Sequence, residues 1–285
     1  MAEEDAMSTP PGRRGPRAGL LTYAALLVFT VVSLFPLVWT AIAASSSNGR
    51  LARTPPPFWF GDDLLRNLGV AWTDANLGRA LLNTTVVAGT VAAGTVLFST
   101  LAGFAFAKLR FRFRNLLLLL VVGTMTVPPQ LSVVPLFMLV AEVSWTDRLQ
   151  SVILPALVSG FGVFFMRQYL VTALPTELVE AARVDGANGW RVVWHVVFPA
   201  ARPAMAVLAM LTFVMSWNDF FWPIIALTQA NPTVQVALTG LGRGYIPDQS
   251  VIMAGALLGT LPLLLVLVVF GRRIVGGIMQ GAVKG

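Results

Sequence analysis

Cysteine is absent from the 285 residues, histidine occurs once, as His195, and lysine only as Lys108 and Lys284. Disulfides, thiolate chemistry and cysteine-zinc sites are therefore excluded, and one histidine makes no histidine metal cluster. Charge is scarce as well: 12% of residues are charged, against about 25% in soluble proteins. No glycine-lysine phosphate loop, catalytic-triad spacing or acid-base pair stands out, so nothing in the chain points to catalysis of its own. What is abundant is apolar surface, at 56% of residues, and this composition reads as an integral membrane protein. The net charge of +7 could suggest nucleic acid, yet 18 of the 20 basic residues are arginines. They fall between apolar runs rather than on one patch, which is a mark of membrane topology and not of nucleic-acid binding.

Six apolar runs are long enough to cross a bilayer, about 20–44, 81–107, 116–141, 150–172, 203–227 and 251–270. Ahead of them, residues 1–19 hold Pro10, Pro11, Gly12, Arg13, Arg14 and Arg17 and read as disordered. The first run is too long for a secretory signal and reads as an uncleaved span. Residues 45–80 leave the membrane, with Pro55-Pro56-Pro57 and the interface aromatics Phe58, Trp59, Phe60 and Trp72. Asn83-Thr84-Thr85 matches a glycosylation sequon but reads as the polar start of the second span. That span carries Gly89, Gly94 and Gly103, suited to close helix packing, and ends in Lys108, Arg110, Arg112 and Arg114. Pro128-Pro129 and Pro135 interrupt the third run. They predict a kink or an unwound middle, as a pathway lining or as an ordinary kink. Arg167 lies close enough to the end of the fourth span to reach the headgroups.

The fifth run ends in Ser216-Trp217-Asn218-Asp219-Phe220-Phe221-Trp222-Pro223, a polar cluster inside an apolar segment. Counted along a helix from Pro203, Asp219 lies about 24 Å on, toward one leaflet rather than the midplane. It is either an interfacial carboxylate or part of a solute pathway. Residues 229–250 read as a sizeable loop in which Gly240, Gly242 and Gly244 alternate with Leu241, Arg243 and Tyr245. Their spacing is not that of a phosphate cradle, so a flexible loop or a docking surface remains. The last residues, 276–285, are small and read as a flexible tail.

One long polar interruption remains, 174–203. Pro175 and Thr176 can open a helix, with Glu177 and Glu180 at its positive end, and Asp185-Gly186 is a breaker. Asn188 can cap a second helix that stops before Pro199. On it Trp190, Val193, Trp194 and Val197 share one face, and Arg191 and His195 another. The small residues Ala181, Ala182, Gly186 and Ala187 leave room for another backbone to come close. By spacing alone the stretch is either a docking element or an amphipathic loop on the membrane surface.

The string Glu180-Ala181-Ala182, Asp185-Gly186-Ala187 and Pro199 resembles the EAA loop of ATP-binding-cassette (ABC) importer permeases. The fuller EAARVDGAN followed by FPAARPA is similar to the sugar-importing, maltose-type branch. The Trp217-Asn218-Asp219 segment followed by Pro223 and the terminal GAVKG resemble the same branch. The resemblance implies an all-α type I importer fold, with six spans at 20–275 and a cytoplasmic EAA loop, in the bacterial cytoplasmic membrane. It implies that Glu180, Ala181, Ala182, Asp185, Gly186, Ala187 and Pro199 couple to an ATPase, and that Gly281, Val283, Lys284 and Gly285 touch it too. Trp217, Asn218, Asp219 and Trp222 become candidates for a pathway or gate. The implied partners are a second six-span permease, an ABC ATPase dimer that binds the ATP and magnesium, and an extracytoplasmic solute-binding protein. No cofactor is implied on this chain.

With both termini on one side, six spans put fourteen basic residues on the side of the EAA-like stretch and six on the other. That asymmetry predicts a cytoplasmic location for the stretch and for both ends. An ABC permease for polyamine, phosphate or glycerol phosphate would share the loop. An ion-coupled transporter needs intramembrane acids, and apart from Asp219 the runs are almost free of carboxylates.

Overall fold

A chain crossing lipid must satisfy its backbone hydrogen bonds internally, and this one does so with helices. The computed structural model describes residues 19–243 and 247–282. Of the expected disordered 1–19, residues 1–18 lie outside the described residues, as do Gly244 and Tyr245 of the 229–250 stretch and the tail residues Val283, Lys284 and Gly285. In order the helices are α1 (Leu20–Ser45), α2 (Asn48–Leu51), α3 (Leu64–Asp74), α4 (Leu77–Lys108), α5 (Arg114–Thr124), α6 (Val133–Glu142) and α7 (Gln150–Ala156). There follow α8 (Gly160–Ala173), α9 (Thr176–Val184), α10 (Gly189–Val192), α11 (Phe198–Trp217), α12 (Pro223–Ala226), α13 (Val234–Leu241) and α14 (Gln249–Ala282).

Among the described residues five stretches are long and apolar enough to cross a membrane: α1, α4, Gln150–Ala173, Gly189–Trp217 and Gln249–Gly271. The sixth is broken, Arg114–Thr124 meeting Pro129–Glu142 at 93°. Pro128 and Pro129 supply no N–H to the preceding turn, and Pro128 stands extended at φ −60°, ψ 126°, so the helix cannot pass straight through.

The central helix is α4, packed against both α8 and α11. Small residues allow the approach: a Cβ on Gly103 would lie 2.8 Å from the Arg167 nitrogen and from the Met166 Cβ, and one on Gly94 would run into Leu157. Gly89 differs, with nothing within 4 Å. On the other side α1 and α14 pair, with α3 against both. From Leu20 to Phe35, α1 is exposed almost all round, the pattern of a helix whose outer face meets lipid or another membrane chain.

Residues 45–80, expected to leave the membrane, contain the helix α3, which buries Asn67 and Ala71. Three expectations are corrected. The stretch 229–250 is not a loop throughout: α13 buries Val234, Val236 and Ala237, and the spacing of Val234, Ala237, Leu238 and Leu241 fits one face of a helix seated between α4 and α14. The tail is helical as far as Ala282, so Gly281 sits in the final turn of α14. Asn83 and Thr84 do not start a helix; α4 opens at Leu77, and both side chains are buried clamps. Asn83 Nδ2 donates to the Pro232 carbonyl at 2.9 Å, and Thr84 Oγ1 accepts the Val234 N–H at 2.8 Å. The neighbouring turn is tied in by Asp147, whose carboxylate accepts the Thr228 N–H and whose carbonyl accepts Asn231 Nδ2.

Candidate coupling element and cavity

At the end of the bundle where α8 stops, the chain turns into the helix-turn-helix anticipated from 174–203. Pro175 is extended, at φ −58° and ψ 139°, and α9 begins at Thr176 with Glu177 in its first turn. A 3% exposed Val179 is the one fully buried side chain of α9. Glu180, Ala181, Asp185 and Gly186 are exposed, while Ala182 and Ala187 are half-buried. The helix ends because Gly186 adopts φ +81°, left-handed. The Ala187 N–H then reaches the Ala182 carbonyl at 2.9 Å and the Gly186 N–H the Arg183 carbonyl at 3.0 Å, which together form a Schellman cap. Asn188 caps the next helix as expected, its Oδ1 accepting the Arg191 N–H at 2.9 Å.

That second helix does not stop before Pro199. Through a π turn at Val193–Val197 it runs into α11, so Gly189–Trp217 is one continuous rod of 29 residues. The reason is local. Pro199 lacks an N–H, and the π turn has already shifted the ladder by one residue, the Phe198 N–H donating to the Val193 carbonyl five residues back.

The same extra residue splits the expected apolar face. Val193 and Val197 join Val192 in a core with Phe104 of α4, Met166 and Leu170 of α8, and Leu174 just beyond α8. Trp190 and Trp194 are left 65% and 58% exposed. Arg191 and His195 do share a face, with His195 Nδ1 lying 3.0 Å from the Arg191 carbonyl. Together with Ala182, Asp185 and Ala187 they line an open groove of about 360 Å³. Leu178 and Val184 are exposed on α9, Val184 at 88%. Pro199 stands apart on the exposed side of the first turn of α11.

Farther along the rod lies a cavity of about 500 Å³ between α4, α7, α8 and α11. Its polar lining is Thr95, Ser159, Thr212, Ser216 and Asp219, and its aromatic wall is Phe161. Of the four residues proposed from sequence for a pathway, only Asp219 reaches it. Trp217 is buried, donating from Nε1 to the Gly259 carbonyl of α14 at 3.1 Å. Asn218 bonds back to the Val214 carbonyl and, with Trp217, lines a separate pocket of about 160 Å³ against α13 and α14. Trp222 donates to the Ser151 carbonyl at 2.8 Å and ties α12 to α7. Asp219 is also not within a helix, as the count from Pro203 assumed. The helix ends at Trp217, and the backbone N–H groups of Phe221 and Trp222 face the Asp219 carboxylate. The spacing of Thr212, Ser216 and Asp219, four residues and then three, was a legible signal for this wall. Ser159 and Phe161 belong to another helix and carried none.

Long apolar helices around an open cavity, with a half-exposed helix-turn-helix continuous with one of them, define a membrane transport permease. The chain belongs to the family described as binding-protein-dependent transport system inner membrane component, which matches residues 96–279. It is 31% identical over 280 residues to the lactose transport system permease protein LacG of Rhizobium radiobacter, covering 98% of this chain and 100% of that one. It is 29% identical to the diacetylchitobiose uptake system permease protein NgcG of Streptomyces coelicolor, over 94% of this chain and 90% of that one. It is 31% identical to the sn-glycerol-3-phosphate transport system permease protein UgpE of Shigella flexneri, over 93% and 97%. In structure it is similar to a chain of a bacterial ABC transporter involved in the import of the acidic polysaccharide alginate. The TM-score is 0.76 at 22% identity, covering 93% of this chain and 99% of that one. The fold is thus the all-α type I ABC importer permease fold.

Proposed function

We propose that this chain is one permease subunit of an ATP-driven, binding-protein-dependent importer of a di- or oligosaccharide. In this reading it forms half of the translocation pathway and is non-catalytic, with ATP and magnesium bound by a partner ATPase dimer. A second six-span permease completes the pathway, and an extracytoplasmic solute-binding protein delivers the solute. The membrane is the bacterial cytoplasmic membrane, and the excess of basic residues on the α9 side supports cytoplasmic termini.

The observation that carries the proposal is the continuity of Gly189–Trp217, whose first turns belong to the docking element and whose last turns wall the cavity. A push on α9 and α10 by a closing ATPase dimer is delivered along a stiff rod to Thr212 and Ser216, exchanging inward-open for outward-open states. Glu180 is exposed to meet an arginine or lysine of the ATPase. Ala181, Ala182, Asp185, Gly186 and Ala187 form the close-fitting surface, and Pro199 lies along the rod just past its π turn. Gly281, Val283, Lys284 and Gly285 add a tail contact to the same ATPase. A sugar as solute is supported by the lactose and diacetylchitobiose permeases among the relatives, and the glycerol phosphate relative keeps an anionic solute as the second reading.

Because the chain has no cysteine of its own, an Ala181→Cys variant gives a single labelled position. In vesicles carrying the whole complex it should crosslink to the ATPase, and uptake of the solute should require ATP. Uptake driven by a proton gradient without ATP, or an Ala181→Cys that reacts only from outside the cell, would remove the proposal.

A further inference from the structure

The cavity between α4, α7, α8 and α11 carries chemistry that bears on the solute. Thr212 and Ser216 lie one turn apart on α11, and Asp219 follows three residues later on the same wall. Opposite them Ser159 caps α8, accepting the Gly162 N–H and leaving its own hydroxyl hydrogen free. Thr95 is occupied in part, donating to the Ala156 carbonyl at 3.2 Å. Phe161 is 43% exposed in the cavity wall and is braced from behind by Phe165, their rings stacked with centroids 5.9 Å apart. The remaining lining is aliphatic. Among the described residues no arginine, lysine or histidine lines the cavity, and the formal charge there is the Asp219 carboxylate.

We propose that this cavity is a solute-contacting wall selective for uncharged, polyhydroxylated molecules over anionic ones. The inference rests on the importer reading above and narrows its solute class. A sugar hydroxyl donates to the Asp219 carboxylate in a charge-assisted hydrogen bond, and the hydroxyls of Ser159, Thr212 and Ser216 take further ring oxygens and hydroxyls. The exposed face of Phe161 covers the apolar face of a sugar ring. A volume of about 500 Å³ falls in the usual range for small-molecule pockets. A phosphate or a uronate finds the opposite: no cationic donor on this wall, and a carboxylate of its own sign in a poorly screened site.

This chain has no cysteine of its own, so with partner subunits made cysteine-free an introduced thiol reports the electrostatics of this wall. Thr212→Cys and Ser216→Cys, each close in size to the residue replaced, are placed in the complete complex in membrane vesicles. They are then reacted with cationic and anionic methanethiosulfonates of similar size. The cationic reagent should react about tenfold faster, and the ratio should fall toward one in the added presence of Asp219→Asn. Cellobiose and maltotriose should slow the modification, whereas glycerol 3-phosphate and trigalacturonate should not. An anionic reagent that reacts as fast as the cationic one, or protection by glycerol 3-phosphate or trigalacturonate, overturns the proposal. ATP dependence of uptake, measured on the unmodified complex, reports on the importer reading separately. An ATP-driven complex with an inverted reagent ratio sinks only the solute class.

Discussion

The N–H of Phe198 donates to the carbonyl of Val193, five residues back, in the turn before a proline that has no N–H to give. One widened turn thereby absorbs Pro199 without breaking the helix, and α10, α11 and the residues between them form one continuous helix.

If that stiffness transmits the motion, softening it should uncouple the two ends. His195 and Arg202 are both exposed, and each glycine costs the helix about 1 kcal/mol relative to alanine. His195→Gly with Arg202→Gly should lower uptake per ATP hydrolysed several-fold while the complex still copurifies. The matching double alanine variant should retain coupling. Equal coupling in the two variants would show that the rod is not the lever.

Gly186 offers a separate test of docking. Its φ of +81° disfavours side chains, at about 1–2 kcal/mol for an ordinary residue, yet nothing lies within 4 Å of a Cβ there. Gly186→Asn tolerates the left-handed turn and should insert normally, with the ATPase retained on copurification. Gly186→Leu should also insert but lose the ATPase and transport. Normal solute-stimulated hydrolysis in Gly186→Leu would argue against close approach of a partner.

The two kinds of glycine on α4 should separate cleanly. Gly103→Ala forces its Cβ against the Arg167 backbone nitrogen and Met166 Cβ at 2.8 Å, so α4 and α8 must part. The expected loss is about 1–3 kcal/mol, read as a lowered Tm of the purified complex in detergent. Gly89→Ala meets nothing within 4 Å and should leave Tm unchanged or slightly raised.

Asn83 holds α4 to the start of α13 by a buried donor. Asn83→Ala leaves the Pro232 carbonyl without that bond, at about 1–3 kcal/mol. Hydrogen exchange should rise over 231–237 first, before it rises in α4. Faster exchange in α4 with 231–237 unchanged would put the anchor elsewhere.

Much of the helix-turn-helix at 174–203 could be read from the chain because its determinants are local. Pro175, the Asp185-Gly186 break and the Asn188 cap act within four residues, and each sits in the structure where the sequence puts it. The end of the second helix was misread because proline usually stops a helix, and a π turn leaves no compositional trace. The candidate pathway residues point to different neighbours for a different reason. Trp217, Asn218 and Trp222 stand beside Asp219 in sequence, but their side chains turn to Gly259, to Val214 and to Ser151, partners set by packing against α14 and α7.

Sequence alone determined that this is a membrane chain with six apolar runs, one of them broken at Pro128-Pro129, and one polar helix-turn-helix. Run length, backbone satisfaction and turn chemistry are properties of consecutive residues, and lipid enforces them one segment at a time. Only the tertiary structure decided that the polar element is continuous with a cavity wall, and that Ser159 and Phe161 complete the cavity opposite Thr212, Ser216 and Asp219. Those relations depend on how closely α4 lets α8 and α11 approach and on a one-residue shift in helical register, and both are settled by contacts between segments far apart in the chain.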